Sequence, residues 1–162
     1  YEERISWEVI FVLPGVDVIP RSTFRFCRKI ETVIMSDSVR RIEKCAFMEC
    51  KSLVFVKLSR NLEYIGVRAF AESISLPSIV IPPSCREIGH CAFAFCKKLI
   101  ILSVPQHTQL GENVISNTAV FKASPFTTFS GSGYYDNDIE VNDWIKSHHA
   151  DNEFSLHRAC AS

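Results

Sequence analysis

The 162-residue chain lacks an excess of charge of either sign, with 18 Lys plus Arg against 18 Asp plus Glu. A balanced chain has no global attraction for nucleic acid or an acidic membrane, so binding of that kind would need a local patch. Long apolar runs are missing too. The most hydrophobic stretch near the start, VIFVLPGV, is broken by Pro14 and Gly15, far short of the ~20 apolar residues a membrane span needs. No basic segment or small-residue cleavage site flanks it, so it does not read as a secretory signal. Cysteines never form a C-x-x-C pair, and the spacing excludes the common zinc frameworks. No P-loop, dinucleotide fingerprint, H-E-x-x-H or nucleophile elbow is present. The reading is of a chain without catalytic machinery, metal or cofactor. What is present is ordinary folding material, 47% hydrophobic and 22% charged, well outside the disordered range.

That material is periodic. Phe24, Phe47, Phe70 and Phe93 recur every 23 residues. Five residues earlier stand Ile19, Ile42, Ile65 and Ile88; three later stand Cys27, Cys50, Ser73 and Cys96. Further apolar columns run through Ile30, Leu53, Leu76 and Leu99, through Val33, Val56, Ile79 and Leu102, and through Met35, Leu58, Ile81 and Val104. Such a period marks a stack of coils, each burying its apolar edge against its neighbours. A degraded fifth copy, one residue shorter, places Leu110-Gly111 in the Ile-Gly columns, Ile115 in the Phe column and Phe121 in the Leu column. Residues 10–19 supply a partial unit at the other end. In LVFVKL (53–58), Leu53, Val56 and Leu58 face inward while Phe55 and Lys57 point out, a strand pattern. In IGVRAFAES, Gly66 reads as a tight bend and Ala69, Phe70 and Ser73 as a short helical turn.

Leu53-x-x-Val56-x-Leu58-x-x-Asn61, combined with the Ile-Gly-x-x-Ala-Phe-x-x-Cys pattern of residues 88–96, resembles the BspA-like class of leucine-rich repeats over about residues 10–121. Ser38, Ser84 and His107 depart from the Asn61 column, and Ser73 from the Cys column. The resemblance implies an α/β repeat solenoid: a right-handed arc with a parallel β-sheet on its concave side and short helical turns opposite. The recurrent Phe residues would then stack as a continuous spine. The leading expectation is a noncatalytic protein–protein interaction module; the alternatives are an exported cell-surface adhesion protein, of the kind members of that family can be, and a structural spacer or anion-binding surface.

Two surfaces follow from stacking. The outward columns of the concave sheet hold Thr32, Phe55, Ser78 and Ile101, and beside them Ile34, Lys57, Val80 and Ser103. Their apolar members form a patch suited to a protein partner. Arg28, Lys29, Lys51, Lys97 and Lys98 share the loop that precedes each strand, a candidate basic patch for phosphate or an acidic partner. The repeated aromatic points inward, so no nucleic-acid stacking platform is expected. Seven cysteines, five of them in two repeat columns, read as free buried thiols, with a Cys27–Cys50 bridge as the alternative. Free thiols favour a cytoplasmic setting; a signal upstream of Tyr1 would instead place the protein at the cell surface or outside the cell.

Beyond residue 121 the period stops. Residues 122–137 read as a linker, and 138–162 as a helical appendage capped by Asp138 and carrying Trp144. Leu156-His157-x-Ala159 is similar to the opening of an ankyrin repeat. The expected molecule is a monomeric solenoid, a fragment of a longer repeat protein, whose concave face engages a protein.

Overall fold

A computed structural model describes residues 8–119. The linker, the appendage, Phe121 and the ankyrin-like segment lie outside the described residues. Each coil contributes a longer strand followed by a two-residue strand. In chain order these are β1 (Val9–Val12) and β2 (Val18–Ile19), β3 (Thr32–Met35) and β4 (Arg41–Ile42), β5 (Phe55–Lys57) and β6 (Tyr64–Ile65), β7 (Ser78–Val80) and β8 (Glu87–Ile88), and β9 (Ile101–Ser103) and β10 (Gln109–Leu110). Like strands pair in parallel, one coil on the next, to make two separate ladders.

The register follows the 23-residue period. Ile10 lies beside Val33 and Val33 beside Val56; on the short ladder Ile19, Ile42, Ile65 and Ile88 follow one another. Leu110 pairs with Ile88, and the Phe93 N–H donates to the Val114 carbonyl as the Phe70 N–H does to Ala92. The shortened copy therefore keeps Ile115 in the Phe column, fully buried. The long ladder breaks once, between β5 and β7. There Pro77 occupies the column in which the Val54 N–H donates to Glu31 and the Ile100 N–H to Pro77 itself. Proline has no N–H to continue that row.

Phe24, Phe47, Phe70 and Phe93 stack with ring centroids 5.1, 5.2 and 5.5 Å apart and nearly parallel planes. This offset contact between equivalent rungs is the spine the period predicts. The surrounding core is closed by Ile30, Leu53, Leu76 and Leu99, all buried, and by the inward residues of both ladders, of which Ile10, Val12 and Leu110 at the ends are partly buried.

The expected helical turns do not form; the described repeats contain no α-helix. The Ala-Phe segment is a run of tight turns instead. In one coil the N–H groups of Ala46, Met48 and Cys50 bond three residues back to Glu43, Cys45 and Phe47. Between them, those of Cys45, Phe47 and Glu49 reach across to Val67, Ala69 and Ala71 of the next coil. Alternate donors thus serve the coil and the stack, which a helix, spending every donor on itself, cannot do. The geometry requires left-handed residues four apart: Cys45 and Glu49, Arg68 and Glu72, Cys91 and Phe95. Gly66 plays another part than the expected bend. A Cβ there would lie 2.7 Å from the Glu43 and Lys44 backbone, and one on Gly89 2.7 Å from the Val67 nitrogen. These glycines let adjacent coils touch.

The cysteine column bonds between coils as well. The Cys50 thiol donates to the Phe24 carbonyl (3.2 Å) and the Cys96 thiol to Phe70 (3.1 Å). The Ser73 hydroxyl makes the same bond to Phe47 at 3.0 Å, which explains why serine fits there. Cys27 and Cys50 are both free, and so are Cys45, Cys85, Cys91 and Cys96. Burial, reinforced by the neighbouring Cys27, pushes the Cys50 thiol up to about 12. Burial pushes Cys96 to about 12 too. In the Asn61 column the amide donates to the Asp37 carbonyl (2.8 Å), and Ser38 and Ser84 replace it with hydroxyl bonds to Val16 and Arg60 (2.7 Å each). Those departures keep the inter-coil bond.

Candidate partner-binding surface

Alternation along the long strands decides which side chains face out. Val33, Val56, Ile79 and Leu102 turn inward, leaving Thr32, Phe55, Ser78 and Ile101 on the opposite side. The register sets Thr32 beside Phe55, Ile34 beside Lys57, Ser78 beside Ile101 and Val80 beside Ser103. Phe55 is 52% exposed, and Lys57, Val80 and Ile101 are exposed too; Thr32, Ile34 and Ser78 are half-buried. Ser103 departs from the expectation. It is only 8% exposed and its Oγ has no hydrogen-bond partner among the described residues, so the column closes at that end.

The patch is larger than the period alone suggested. Val9 pairs with Thr32 and Phe11 with Ile34, extending both outward columns by one rung. Phe11 is 63% exposed. Subtracting 23 from positions 32 and 34 was the available signal. Val54 and Ile100 add exposed apolar surface just before β5 and β9, a column with no strand periodicity to announce it.

The basic row is partly spent. Arg28 and Lys51 both approach Glu49, at 3.8 and 3.9 Å, and the carboxylate between them is well shielded. Lys29, Lys97 and Lys98 are exposed without a side-chain ion pair among the described residues. Arg28 and Lys29 also border a hollow of about 560 Å3 lined by Ile10, Phe24, Phe26, Cys27 and Ile30. Its apolar character has a simple cause: Phe24 is the end rung, stacked on one side by Phe47.

The short ladder presents the opposite chemistry. Its outward residues are Val18, Arg41, Tyr64, Glu87 and Gln109. Arg40 bonds Glu63 of the next coil at 2.7 Å, Arg41 bonds Glu43 at 2.8 Å, and the Arg41 guanidinium lies 4.2 Å above the Tyr64 ring. At the bend between the ladders, Asp37 accepts from the Arg60 backbone N–H (3.0 Å) and from its guanidinium. Those bonds hold the Asp37 carboxyl below its usual range. No His/Cys/Asp/Glu group able to hold a metal, and no helix long and apolar enough to cross a membrane, occurs among the described residues.

Comparison with known proteins agrees with this geometry. A leucine rich cell surface protein of Faecalibacterium prausnitzii is 33% identical and superimposes with a TM-score of 0.61, over 62% of this chain and 27% of that one. The leucine-rich repeat protein of T. pallidum is 26% identical with a TM-score of 0.65, over 68% and 55%. The pneumococcal vaccine antigen PcpA, 16% identical, shares the fold over 90% of this chain and 40% of its own (TM-score 0.59). The chain thus spans about a quarter to about half the length of these structures. No curated protein sequence matches significantly. Six copies of the BspA type leucine rich repeat model match residues 17–133, and the chain is a member of that family.

Proposed function

We propose that the chain is a noncatalytic recognition module whose long-strand face docks another protein, in a parent protein displayed at the cell surface. One observation carries the first half: the two ladders share one core, yet the short one presents polar outward side chains, with Arg41 bonded to Glu43 and laid over Tyr64. The long one leaves Phe11, Phe55, Val80 and Ile101 in water. Contiguous exposed apolar surface on a solenoid is a common mark of a binding face. The similarity to a protein described as a cell surface protein supports the second half and favours it over the cytoplasmic setting that free thiols suggested. The thiols fit either setting, since Cys50 and Cys96 are buried and held protonated.

Screening an array of random peptides with wild type, Phe55→Asp and Arg41→Ala tests the docking face. Phe55→Asp should lose binding at least tenfold while Arg41→Ala retains it; unchanged binding by Phe55→Asp would remove the face from the proposal. Biotinylation of intact cells of the source organism should label the protein. Labelling only after lysis would contradict surface display.

A further inference from the structure

The outward column of the long ladder contains one ion. Lys57 lies beside Ile34 in the register, with Phe55 two residues away on the same strand and the same side; Val80 holds the equivalent position one coil on, across the break in the ladder. Its ammonium forms no hydrogen bond or ion pair among the described residues; it acts on Asp37 through its field, and several nearby acids are engaged by other cations. Asp37 is held by Arg60, Glu49 by Arg28 and Lys51, Glu63 by Arg40 and Glu43 by Arg41. Phe55 and Lys57 are two residues apart on one strand, about 7 Å at the usual strand rise, so an extended segment lying over Phe55 along the strand also reaches Lys57. Covering an unpaired ammonium with apolar groups is costly, whereas a carboxylate placed against it restores the lost solvation by a charge-assisted hydrogen bond. Lys29, on the loop entering β3, and Lys97 and Lys98, on the loop entering β9, outnumber the exposed Glu31 along that border of the patch.

We propose that the occupant of this face is an extended protein segment in which one acidic residue is flanked on both sides by aliphatic or aromatic residues, the carboxylate meeting Lys57 and the apolar side chains lying over Phe55, Ile34 and Val80. This rests on the long-strand face being the docking site, and it adds the chemistry of the partner. A neutral apolar segment is disfavoured by Lys57, and a basic one by Lys57 together with the lysine border.

Fluorescence anisotropy with three synthetic dodecapeptides tests it. The peptides differ in one central residue, Glu, Gln or Lys, between leucines two positions to either side. Wild type should bind the Glu peptide at least about tenfold more tightly than the Gln peptide, a gap of about 1.4 kcal/mol, and the gap should narrow at high salt. Lys57→Glu, an exposed change compatible with folding, should reverse the order in favour of the Lys peptide. Equal binding of the Glu and Gln peptides by wild type, an order unchanged by Lys57→Glu, or no binding of any peptide would overturn the proposal. Phe55→Asp separates the two levels. If it abolishes binding while Lys57→Glu has no effect, the face stands and the acidic partner falls; if neither matters, both fall.

Discussion

The two ladders of this solenoid are built from the same coils and enclose the same core, yet they meet solvent differently. On the short ladder each two-residue strand offers one outward side chain, and Arg41, Tyr64, Arg40 and Glu63 interlock across coils. On the long ladder the strands offer two outward positions, and these hold Val9, Phe11, Ile34, Phe55, Val80 and Ile101 around a single lysine. Stability therefore does not distinguish the faces, since both hang on the phenylalanine spine and the inward aliphatic rows. Only the outward columns differ. The inward residues make the stack, and the outward ones are left free to specify a partner or to repel one.

The largest test breaks both faces together. Phe70→Ala removes a ring stacked on both sides in the spine and should cost ~3–5 kcal/mol in denaturant unfolding. Amide exchange should quicken on both ladders alike; loss confined to one would show that the faces do not share a core.

Gly89→Ala should separate them. The added Cβ meets Val67 and Gly66 backbone, at 2.7 and 2.9 Å, beside the short ladder. Overpacking of this kind costs about 1–3 kcal/mol. Exchange should rise first at β6 and β8, with β7 and β9 less affected; the reverse pattern would contradict the contact.

The turn row can be probed with pH. Cys50 and Cys96 stay protonated in the folded chain to about 12, against an ordinary value of 9.0. Above pH 9 the unfolded chain therefore binds fewer protons than the native one. The thiols' contribution is intact below about pH 9 and is lost as pH rises from 9 toward 12. Thermal melts should show that alkaline loss, and a Cys50→Ser/Cys96→Ser variant should lose less, because Ser73 already shows the hydroxyl making the same bond. An identical alkaline profile in both would count against the thiol bonds.

The smallest effects come from the outward columns. Arg40→Ala removes a surface ion pair and should change stability by less than about 1 kcal/mol. Phe55→Asp should also leave the melt within about 0.5 kcal/mol of wild type, so any loss of binding in that variant reflects the face and not the fold.

Much of this was legible in the chain because a stacked repeat writes each contact at a fixed offset. Phe47 and Phe70 touch because they are 23 apart, and the long-strand register follows from the same number. The short ladder left its isoleucine column at the same offset, but nothing to mark that column as strand. Arg41-Ile42 and Tyr64-Ile65 are two residues long, and a two-residue strand has no alternation to detect. The turn row was misread as helix because Ala69, Phe70 and Ser73 have one-turn spacing in either conformation. Arg68, Glu72, Cys45 and Glu49 adopt left-handed backbone without the glycine or asparagine that would signal it. Only the last described coil carries that signal, in Asn113 and Asn117. Of the candidate face, the columns were readable; the burial of Ser103 and the exposure of Val54 and Ile100 depend on what packs around each strand end.

The central claim is that a partner reads the long ladder and ignores the short one. Amide exchange of the chain, free and saturated with the tightest peptide from the array, measures this directly. Protection should appear at Thr32–Ile34, Phe55–Lys57 and Ser78–Val80, with Arg41–Ile42, Tyr64–Ile65 and Glu87–Ile88 unchanged. Protection concentrated on the short ladder would contradict the account.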